Sequence, residues 1–329
     1  MAERSGLGVG VDIGGTKSLG VLVDDQGEVL AESRVPTPDG ASELLDMVAA
    51  VVAELTELAG AVDGVGVGVP GIVDAEGRLR YAPNLVGADE LAVRELLQLR
   101  FDVPIVVAND TDCAAWAEHT LGAARGHGEA MLVTLGTGIG TSIIVDGRVQ
   151  LGANGFAGEL GHHVVDPVGV ECSCGNRGCW ETKASATGLA RLAVETIGRG
   201  RGGVLKSLVA DDPSSLRGEH VTRAAREGDQ TAIEIIDEFA GWVALGLANG
   251  VAILDPSLIV VGGGLVAEHE LLLDPVRSRF DGMIFANGHR PQVTIVPAAL
   301  GERAGALGAA VLARDAGQAT HSEAQGALR

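Results

Sequence analysis

The residues from Asp12 to Lys17 place a carboxylate, two glycines, a hydroxyl and an amine between two predicted strands. Glycine has no Cβ atom, so a phosphate oxygen can approach the backbone amides of such a turn closely. An aspartate at the end of the preceding strand can hold hydrated Mg²⁺ beside the phosphates. Taken alone, an ordinary hairpin turn explains the hexapeptide equally well. The candidate phosphate and Mg²⁺ residues here are Asp12, Gly14, Gly15, Thr16 and Lys17.

Two further glycine clusters strengthen the phosphate interpretation. Gly136 to Thr141 has the same composition in the same strand-turn-strand setting, and two such loops are harder to explain as turns alone. A third cluster follows the predicted strand Leu258 to Val261 and would let a flat adenosine lie against bare backbone. Its alternative is a strand end followed by a helix start. The candidate nucleotide-binding residues in these clusters are Gly136, Thr137, Gly138, Gly262, Gly263 and Gly264.

Asn109 and Asp110 follow the predicted strand Pro104 to Ala108 and open a helix. Transfer of a phosphoryl group to a hydroxyl needs a carboxylate that accepts the hydroxyl proton. Asp110 is therefore the candidate general base. A role as the cap of the following helix is the alternative.

A histidine and three cysteines follow with a spacing typical of a metal site. His162 precedes Cys172 by ten residues, and Cys174 and Cys179 complete the cluster. Three thiolates and one imidazole match a closed tetrahedral Zn²⁺ site, which has no open position for water and is therefore structural. A disulfide would leave one of the three thiols unpaired. His163 is a rival to His162 as the fourth ligand.

Two carboxylates, Glu159 and Glu181, flank this predicted zinc site. Carboxylates accept hydrogen bonds from sugar hydroxyls, and they do so effectively only when they are held in place. The zinc site would hold both, and the second ring nitrogen of His162 could also reach a hydroxyl.

The composition limits the classes of function. The 329 residues correspond to about two domains at roughly 150 residues each, and 24 Lys+Arg against 44 Asp+Glu give 24 − 44 = −20. That charge excludes general attraction to nucleic acid or anionic membranes. Phe239 to Leu254 is too short to span a bilayer and predicts a buried helix. With three of the four cysteines clustered and no secretory signal at the start, we expect a reduced, cytoplasmic protein.

The order of elements predicts mixed sheets with helices packed on them. Three strands form a meander over 7–35, helices and strands then alternate, and a second meander begins at Met131. The predicted helices include one over about 89–99 and one over about 184–197. We expect a smaller domain over 1–109 and a larger one over 110–302. A helix over about 303–316 is expected to pack back on the first domain, followed by a flexible tail over 317–329.

Taken together, DIGGTK, Asn109-Asp110, LGTGIG, ELGH and CxCGxxGCWE resemble the ROK family of sugar kinases, and within it the zinc-containing, ATP-dependent glucokinases of bacteria. The resemblance implies the actin-like, hexokinase-type (ribonuclease H-like) two-domain ATPase fold. It also implies transfer of the ATP γ-phosphate to the 6-hydroxyl of glucose, with Mg²⁺, a structural Zn²⁺ on His162, and Asp110 as the base. The sugar-binding residues implied are Asn109, Glu159, His162, Glu181 and the backbone at Gly71.

Several positions depart from the family pattern, and two of them bear on the substrate. Lys183 and Ala186 stand where Tyr and Gly are more usual, and these changes bear on the sugar more than on the reaction. A kinase for another hexose or an N-acetylhexosamine is therefore the main alternative. Sugar-responsive repressors of the same family carry a DNA-binding segment ahead of the first strand, which we do not expect here. The expected partners are a sugar and ATP, in a homodimer or homotetramer.

Overall fold

The computed structural model of the protein describes residues 6–208, 212 and 215–318. The strands are β1 (Gly8–Ile13), β2 (Lys17–Val23), β3 (Val29–Pro36), β4 (Gly64–Val69), β5 (Ile72–Val73), β6 (Leu79–Tyr81), β7 (Ile105–Asn109), β8 (Ala130–Leu135), β9 (Ile139–Val145), β10 (Arg148–Val149), β11 (Leu258–Gly262) and β12 (Thr294–Pro297). The helices are α1 (Ala41–Ala59), α2 (Val93–Gln98), α3 (Asp110–Thr120), α4 (Glu181–Ala184), α5 (Ala186–Gly198), α6 (Gly203–Leu208), α7 (Gly218–Arg226), α8 (Gln230–Leu254), α9 (His269–Phe280) and α10 (Ala304–Gln318).

The strands form two five-stranded mixed sheets. The first has the order β3-β2-β1-β4-β7, with the meander β1-β2-β3 antiparallel and β1, β4 and β7 parallel. The second has the order β10-β9-β8-β11-β12, in which β9 and β10 are antiparallel and β11 and β12 are parallel. A short hairpin of β5 and β6 stands apart. Mixed sheets with helices are what the sequence predicted.

The alternation of glycine and valine in β1 and β4 gives the first sheet two different faces. Side chains of a strand alternate between faces, and the register pairs Val9 with Val65 and Gly10 with Gly66. The valines are buried in one core with the apolar face of α1. The glycines face α10, so closely that a Cβ at Gly10 would lie 2.8 Å from the Cβ of Ala310. Helix α10 therefore rests directly on the backbone of β1 and β4.

The chain forms two compact units. Within the described residues, unit 1 contains 6–132, 142–158 and 298–318, and unit 2 contains 133–141 and 159–297. These limits differ from the domain boundary expected after residue 109, because α3 packs against α10 and β4 and so lies in unit 1. Helix α10, expected over 303–316, also packs on unit 1. Of the expected tail, residues 317 and 318 belong to α10, and 319–329 lie outside the described residues.

Two predicted helices differ from those observed. The helix expected over 89–99 is only α2, because Leu91 pairs with Leu79 in an antiparallel bridge and the Asp89 side chain accepts a hydrogen bond from the Ala82 amide. The helix expected over 184–197 is α5, which begins two residues later because Ser185 is extended and caps it by accepting from the Gly188 amide. Both later starts come from tertiary or capping hydrogen bonds that apolar periodicity does not report.

Helix α8 contains the apolar run from Phe239 to Leu254, and its inner face is buried, as predicted. None of the described helices combines the length and the apolarity needed to cross a bilayer.

The contact of α10 with the glycine face predicts a large cost for a methyl group at Gly66. In Gly66→Ala the new Cβ would lie 3.0 Å from the Cα of Ala309, which is backbone and cannot turn aside. Overpacking of this kind costs about 1–3 kcal/mol, so the melting temperature should fall by several degrees. Gly198→Ala in α5 is the control, since its Cβ would meet no described atom within 4 Å. Equal melting temperatures for the two variants would contradict the packing described here.

Candidate functional site

The turn that links β1 to β2, residues 12–17 and here called loop 1, is closed by its own backbone. The Gly14 amide donates to the Lys17 carbonyl at 3.0 Å, and the Thr37 hydroxyl donates to the Gly14 carbonyl at 2.7 Å. Gly15, Thr16 and Lys17 are exposed. The loop is thus a fixed turn whose outer residues face solvent, as a phosphate-binding turn requires.

Parallel strands bring Asp12 and Asp110 to the same edge of the first sheet. Asp12 lies near the end of β1, Asp110 follows β7, and Gly68 of β4 lies between them. A Cβ at Gly68 would lie 3.3 Å from Asp12 Oδ1 and 3.6 Å from the Asp110 Cα. The candidate base and loop 1 are therefore neighbours within unit 1.

The Asp12 carboxyl is held in a site that disfavours its charge. Its Oδ1 is buried and has no hydrogen-bond partner among the described residues. Burial, and to a smaller extent the negative charge of Asp110, raises the pKa of Asp12 to about 8. An unpaired buried carboxylate oxygen is costly unless a cation or donor reaches it. The chemistry fits a Mg²⁺ ligand, since Mg²⁺ prefers carboxylate oxygens.

Asn109 fixes the helix that carries Asp110. Its Oδ1 accepts from the amides of Thr111 and Asp112, at 2.8 and 3.2 Å, and its Nδ2 donates to the Gly71 carbonyl at 2.9 Å. Asn109 is therefore the cap of α3, the role that the sequence offered as the alternative for Asp110. Asp110 Oδ1 accepts from the Thr111 amide at 2.7 Å.

Unit 2 brings together the other two glycine clusters. Gly136 to Thr141, here called loop 2, joins β8 to β9, and its Gly136 amide donates to the Gly138 carbonyl at 3.0 Å. Gly263 has a φ of 91°, and a Cβ there would lie 2.6 Å from the Leu135 carbonyl carbon. Only glycine fits at this position, so the third cluster lies directly against the start of loop 2.

The four predicted zinc ligands converge. One ligand atom from each of His162, Cys172, Cys174 and Cys179, here called the ligand cluster, lies within 4.8 Å of every other. His162 Nδ1 is 3.6 Å from Cys172 Sγ, and the Sγ atoms of Cys174 and Cys179 are 3.7 Å apart. Tetrahedral Zn²⁺ with bonds of about 2.3 Å separates its sulfur ligands by about 3.8 Å. The donor set and its spacing therefore fit zinc, and none of the four cysteines forms a disulfide.

His163, the rival ligand, is engaged elsewhere. Its Nδ1 contacts the Leu160 carbonyl and its Nε2 lies 3.1 Å from Asn249 Nδ2 of α8. Its ring also packs beside Trp180, with 5.7 Å between ring centres. The His163 side chain thus anchors this segment to α8. His162 is therefore the candidate metal ligand.

The candidate sugar residues of unit 2 surround the ligand cluster. Glu159 Oε2 lies 4.0 Å from His162 Nε2, the nitrogen that does not face the cysteines. Glu181 begins α4, and its Oε1 lies 3.8 Å from Cys172 Sγ. Burial raises the pKa of Glu159, the His162 ring opposes this, and the Glu181 charge adds to it. Three groups able to bind hydroxyls are thus brought together.

Several buried polar contacts escaped the sequence analysis. Glu118 is fully buried, and its carboxylate accepts from the amides of Ala123 at 2.7 Å and Leu300 at 2.8 Å. Asp112 accepts from the Ser142 hydroxyl at 2.7 Å. No local motif marks such residues, because the Leu300 and Ser142 partners are distant in the sequence. Only their chemistry, a charged group in a helix of mostly buried residues, gives a signal.

Comparisons with known proteins identify the family of the chain. The sequence profile of the ROK family matches residues 8–316. A glucokinase of Streptomyces coelicolor is 38% identical over 313 residues, 94% of this chain and 98% of that protein. A glucokinase of Thermotoga maritima is 32% identical over 310 residues, 93% of this chain and 97% of that one.

A solved structure of the same family is also similar to this chain. The crystal structure of a ROK family glucokinase from Streptomyces griseus in complex with glucose and AMPPNP has a TM-score of 0.82 and 38% identity, covering 94% of this chain and all 100% of that one. With the two mixed sheets, this likeness confirms the predicted actin-like, hexokinase-type fold class.

The raised pKa of Asp12 predicts a pH-dependent gain in stability for Asp12→Asn. Asp12 is protonated without penalty below its unfolded pKa of 3.8, and stability is lost as the pH rises through about 8. The variant has no charge to bury, so its advantage should grow by about 4 kcal/mol between pH 5 and pH 8 and then level off. Melting temperatures without added magnesium measure this, with the exposed Asp102→Asn as control. An advantage that does not change with pH would show that Asp12 is ordinarily ionised.

The ligand cluster predicts one zinc ion per chain. Metal analysis of protein purified without chelators should give this ratio, and Cys174→Ser should lower both the zinc content and the melting temperature. Cys113→Ala is the control, because Cys113 lies in unit 1 outside the cluster and its loss should leave the zinc content unchanged. Zinc-free protein with all four ligands intact would exclude a structural zinc.

Proposed function

The chain belongs to the ROK family, and from this we propose that it is an ATP-dependent kinase that phosphorylates glucose at its 6-hydroxyl. The observation that carries the proposal is the pairing of Asp110 with loop 1 at one sheet edge, which supplies a proton acceptor beside a phosphate-binding turn. The relative from Streptomyces griseus, solved with glucose and AMPPNP, supports the same reaction.

Asp110 is the proposed general base. Its backbone is fixed by the Asn109 cap, and its Oδ1 by the Thr111 amide, so the carboxylate is held before the substrate arrives. A base placed in this way takes the proton of the sugar hydroxyl as that oxygen attacks the γ-phosphorus and ADP leaves.

The glycine loops are the proposed nucleotide site. Loop 1 and loop 2 would bind phosphate oxygens through backbone amides, with the Thr16 hydroxyl and the Lys17 amine adding donors. Gly262, Gly263 and Gly264 would lie against adenosine, and Gly263 and Gly264 are exposed. Asp12 would hold Mg²⁺, which neutralises phosphate charge when bound.

The proposed sugar site contains Asn109, Glu159, His162, Glu181 and the backbone at Gly71. In unit 2, a structural zinc on the ligand cluster would fix the His162 ring and so orient Glu159 and Glu181. The departure at Lys183 has a structural explanation: its Nζ is ion-paired with Asp166 at 2.7 Å and lies 4.8 Å from the Trp242 ring centre. Its charge therefore serves the fold of the segment around the zinc ligands.

We propose a homodimer or homotetramer, and a reducing cytoplasmic environment in which the cysteines stay available to the metal.

The substrate is tested with a panel of sugars. Purified protein should release ADP fastest with glucose and ATP, and more slowly with mannose, fructose or N-acetylhexosamines. Polyphosphate in place of ATP tests the donor. Preference for an N-acetylhexosamine would establish the alternative kinase, and no turnover with any sugar would refute the proposal.

The base is tested with Asp110→Asn. The amide cannot take the proton, so kcat should fall by at least roughly 10²-fold while glucose binding remains measurable by calorimetry. Asp102→Asn, an exposed aspartate of unit 1, should leave kcat unchanged. An Asp110→Asn enzyme with undiminished kcat would remove Asp110 from the mechanism.

A further inference from the structure

Loop 2 is held by hydrogen bonds with one short segment, residues 181–187, here called the bracket. The Ala186 amide donates to the Gly136 carbonyl at 2.8 Å. The Thr187 hydroxyl donates to the Thr137 carbonyl at 2.9 Å. The Ile139 amide of loop 2 donates to Glu181 Oε2 at 2.9 Å. Loop 2 and the bracket both lie in unit 2.

The interruption between α4 and α5 makes these bonds available. Inside one continuous helix the Ala186 amide would bond to the carbonyl four residues earlier. Because Ser185 is extended and caps α5, Ala186 instead lies in the first turn, where amides have no partner within the helix. The Gly136 carbonyl accepts a hydrogen bond from that free amide.

Glycine at position 138 lets the third bond form. A Cβ at Gly138 would lie 3.0 Å from Glu181 Cδ, and closer still to Oε2. The Glu181 carboxylate can therefore accept from the Ile139 amide only because residue 138 has no side chain.

The bracket is itself firmly anchored. Trp180, directly before it, is fully buried and donates its indole N–H to the Trp242 carbonyl at 2.8 Å. Gly246 of α8 leaves the space that the indole ring fills. Glu181 also reaches the ligand cluster through Cys172, at 3.8 Å. Loop 2 thus takes its position from α8 and from the cluster.

Fixing the two carbonyls also fixes the two amides that follow them. In a trans peptide the C=O of one residue and the N–H of the next point in opposite directions within one plane. Bonds from the bracket to the carbonyls of Gly136 and Thr137 therefore aim the N–H groups of Thr137 and Gly138 away from the bracket. Two successive amides with fixed direction form an anion-binding concavity.

We propose that the bracket orients loop 2 for the nucleotide phosphates, and that Thr187 is a positioning residue for ATP. The inference rests on the proposed function only in taking a nucleotide as the ligand of loop 2. Thr187 does not belong to any of the motifs discussed above, and its side chain acts through the Thr137 carbonyl.

Three variants test the inference. Thr187→Val keeps the shape of the side chain and removes the hydroxyl, whereas Thr187→Ser keeps the hydroxyl. Thr196→Val is the matched control on the same helix, since its hydroxyl donates to the Leu192 carbonyl of α5 at 2.8 Å and does not serve loop 2. Each is measured for AMPPNP affinity by calorimetry and for amide hydrogen exchange in the peptide covering residues 136–139.

Loss of one hydrogen bond predicts a drop in AMPPNP affinity of about 3- to 10-fold for Thr187→Val. Exchange at residues 136–139 should be faster in that variant, even without nucleotide. Thr187→Ser should restore both, Thr196→Val should change neither, and the KM for glucose should stay within about 2-fold of the wild type in all three.

The outcomes separate this inference from the proposed function. Wild-type affinity and exchange in Thr187→Val, no rescue by serine, or equal effects in Thr196→Val would overturn the positioning role. A wild-type protein that binds AMPPNP but phosphorylates no sugar would refute the proposed reaction and leave the inference standing. A wild-type protein that does not bind AMPPNP would overturn the inference as well.

Discussion

Both units depend on places where the backbone lies very close to a helix, a side chain or another strand. Such contacts are possible only at residues without a Cβ. In unit 1, Gly10 and Gly66 let α10 lie on the sheet, and Gly68 leaves room for the Asp12 carboxylate. In unit 2, Gly246 receives the Trp180 ring and Gly263 lies against β8. Glycine makes up 49 of the 329 residues, about twice its usual share of roughly 7%, and these contacts explain part of that excess.

The carboxylates near the predicted ligands divide into two kinds according to what holds them. Asp110 and Glu181 accept hydrogen bonds from backbone amides, which hold the two carboxylates in place. Asp12 has a buried oxygen without a partner among the described residues, and burial raises its pKa to about 8. The first kind is suited to accept a proton or a hydroxyl. The second is suited to a ligand that brings positive charge with it.

Sequence reasoning succeeded where one short segment contains all that a feature needs. The two glycine loops lie between the predicted strands, and His162 and the three cysteines converge as expected, because their spacing alone limits how the chain can turn. Sequence reasoning failed where a residue distant in the sequence determines the structure. The helix expected over 89–99 is shortened by the bridge between Leu79 and Leu91, and the link between Thr187 and Thr137 spans 50 residues. The domain boundary differs for the same reason, since α3 joins unit 1 through its contact with α10.

The position of α10 has a consequence for how the protein is made. The glycine face of β1 and β4 is covered by the last described helix, which leaves the ribosome long after those strands. Until then the nascent first sheet lacks one of its layers, whereas the segments of unit 2 have all been synthesised before α10 appears. Unit 2 can therefore complete its core before α10 covers the first sheet.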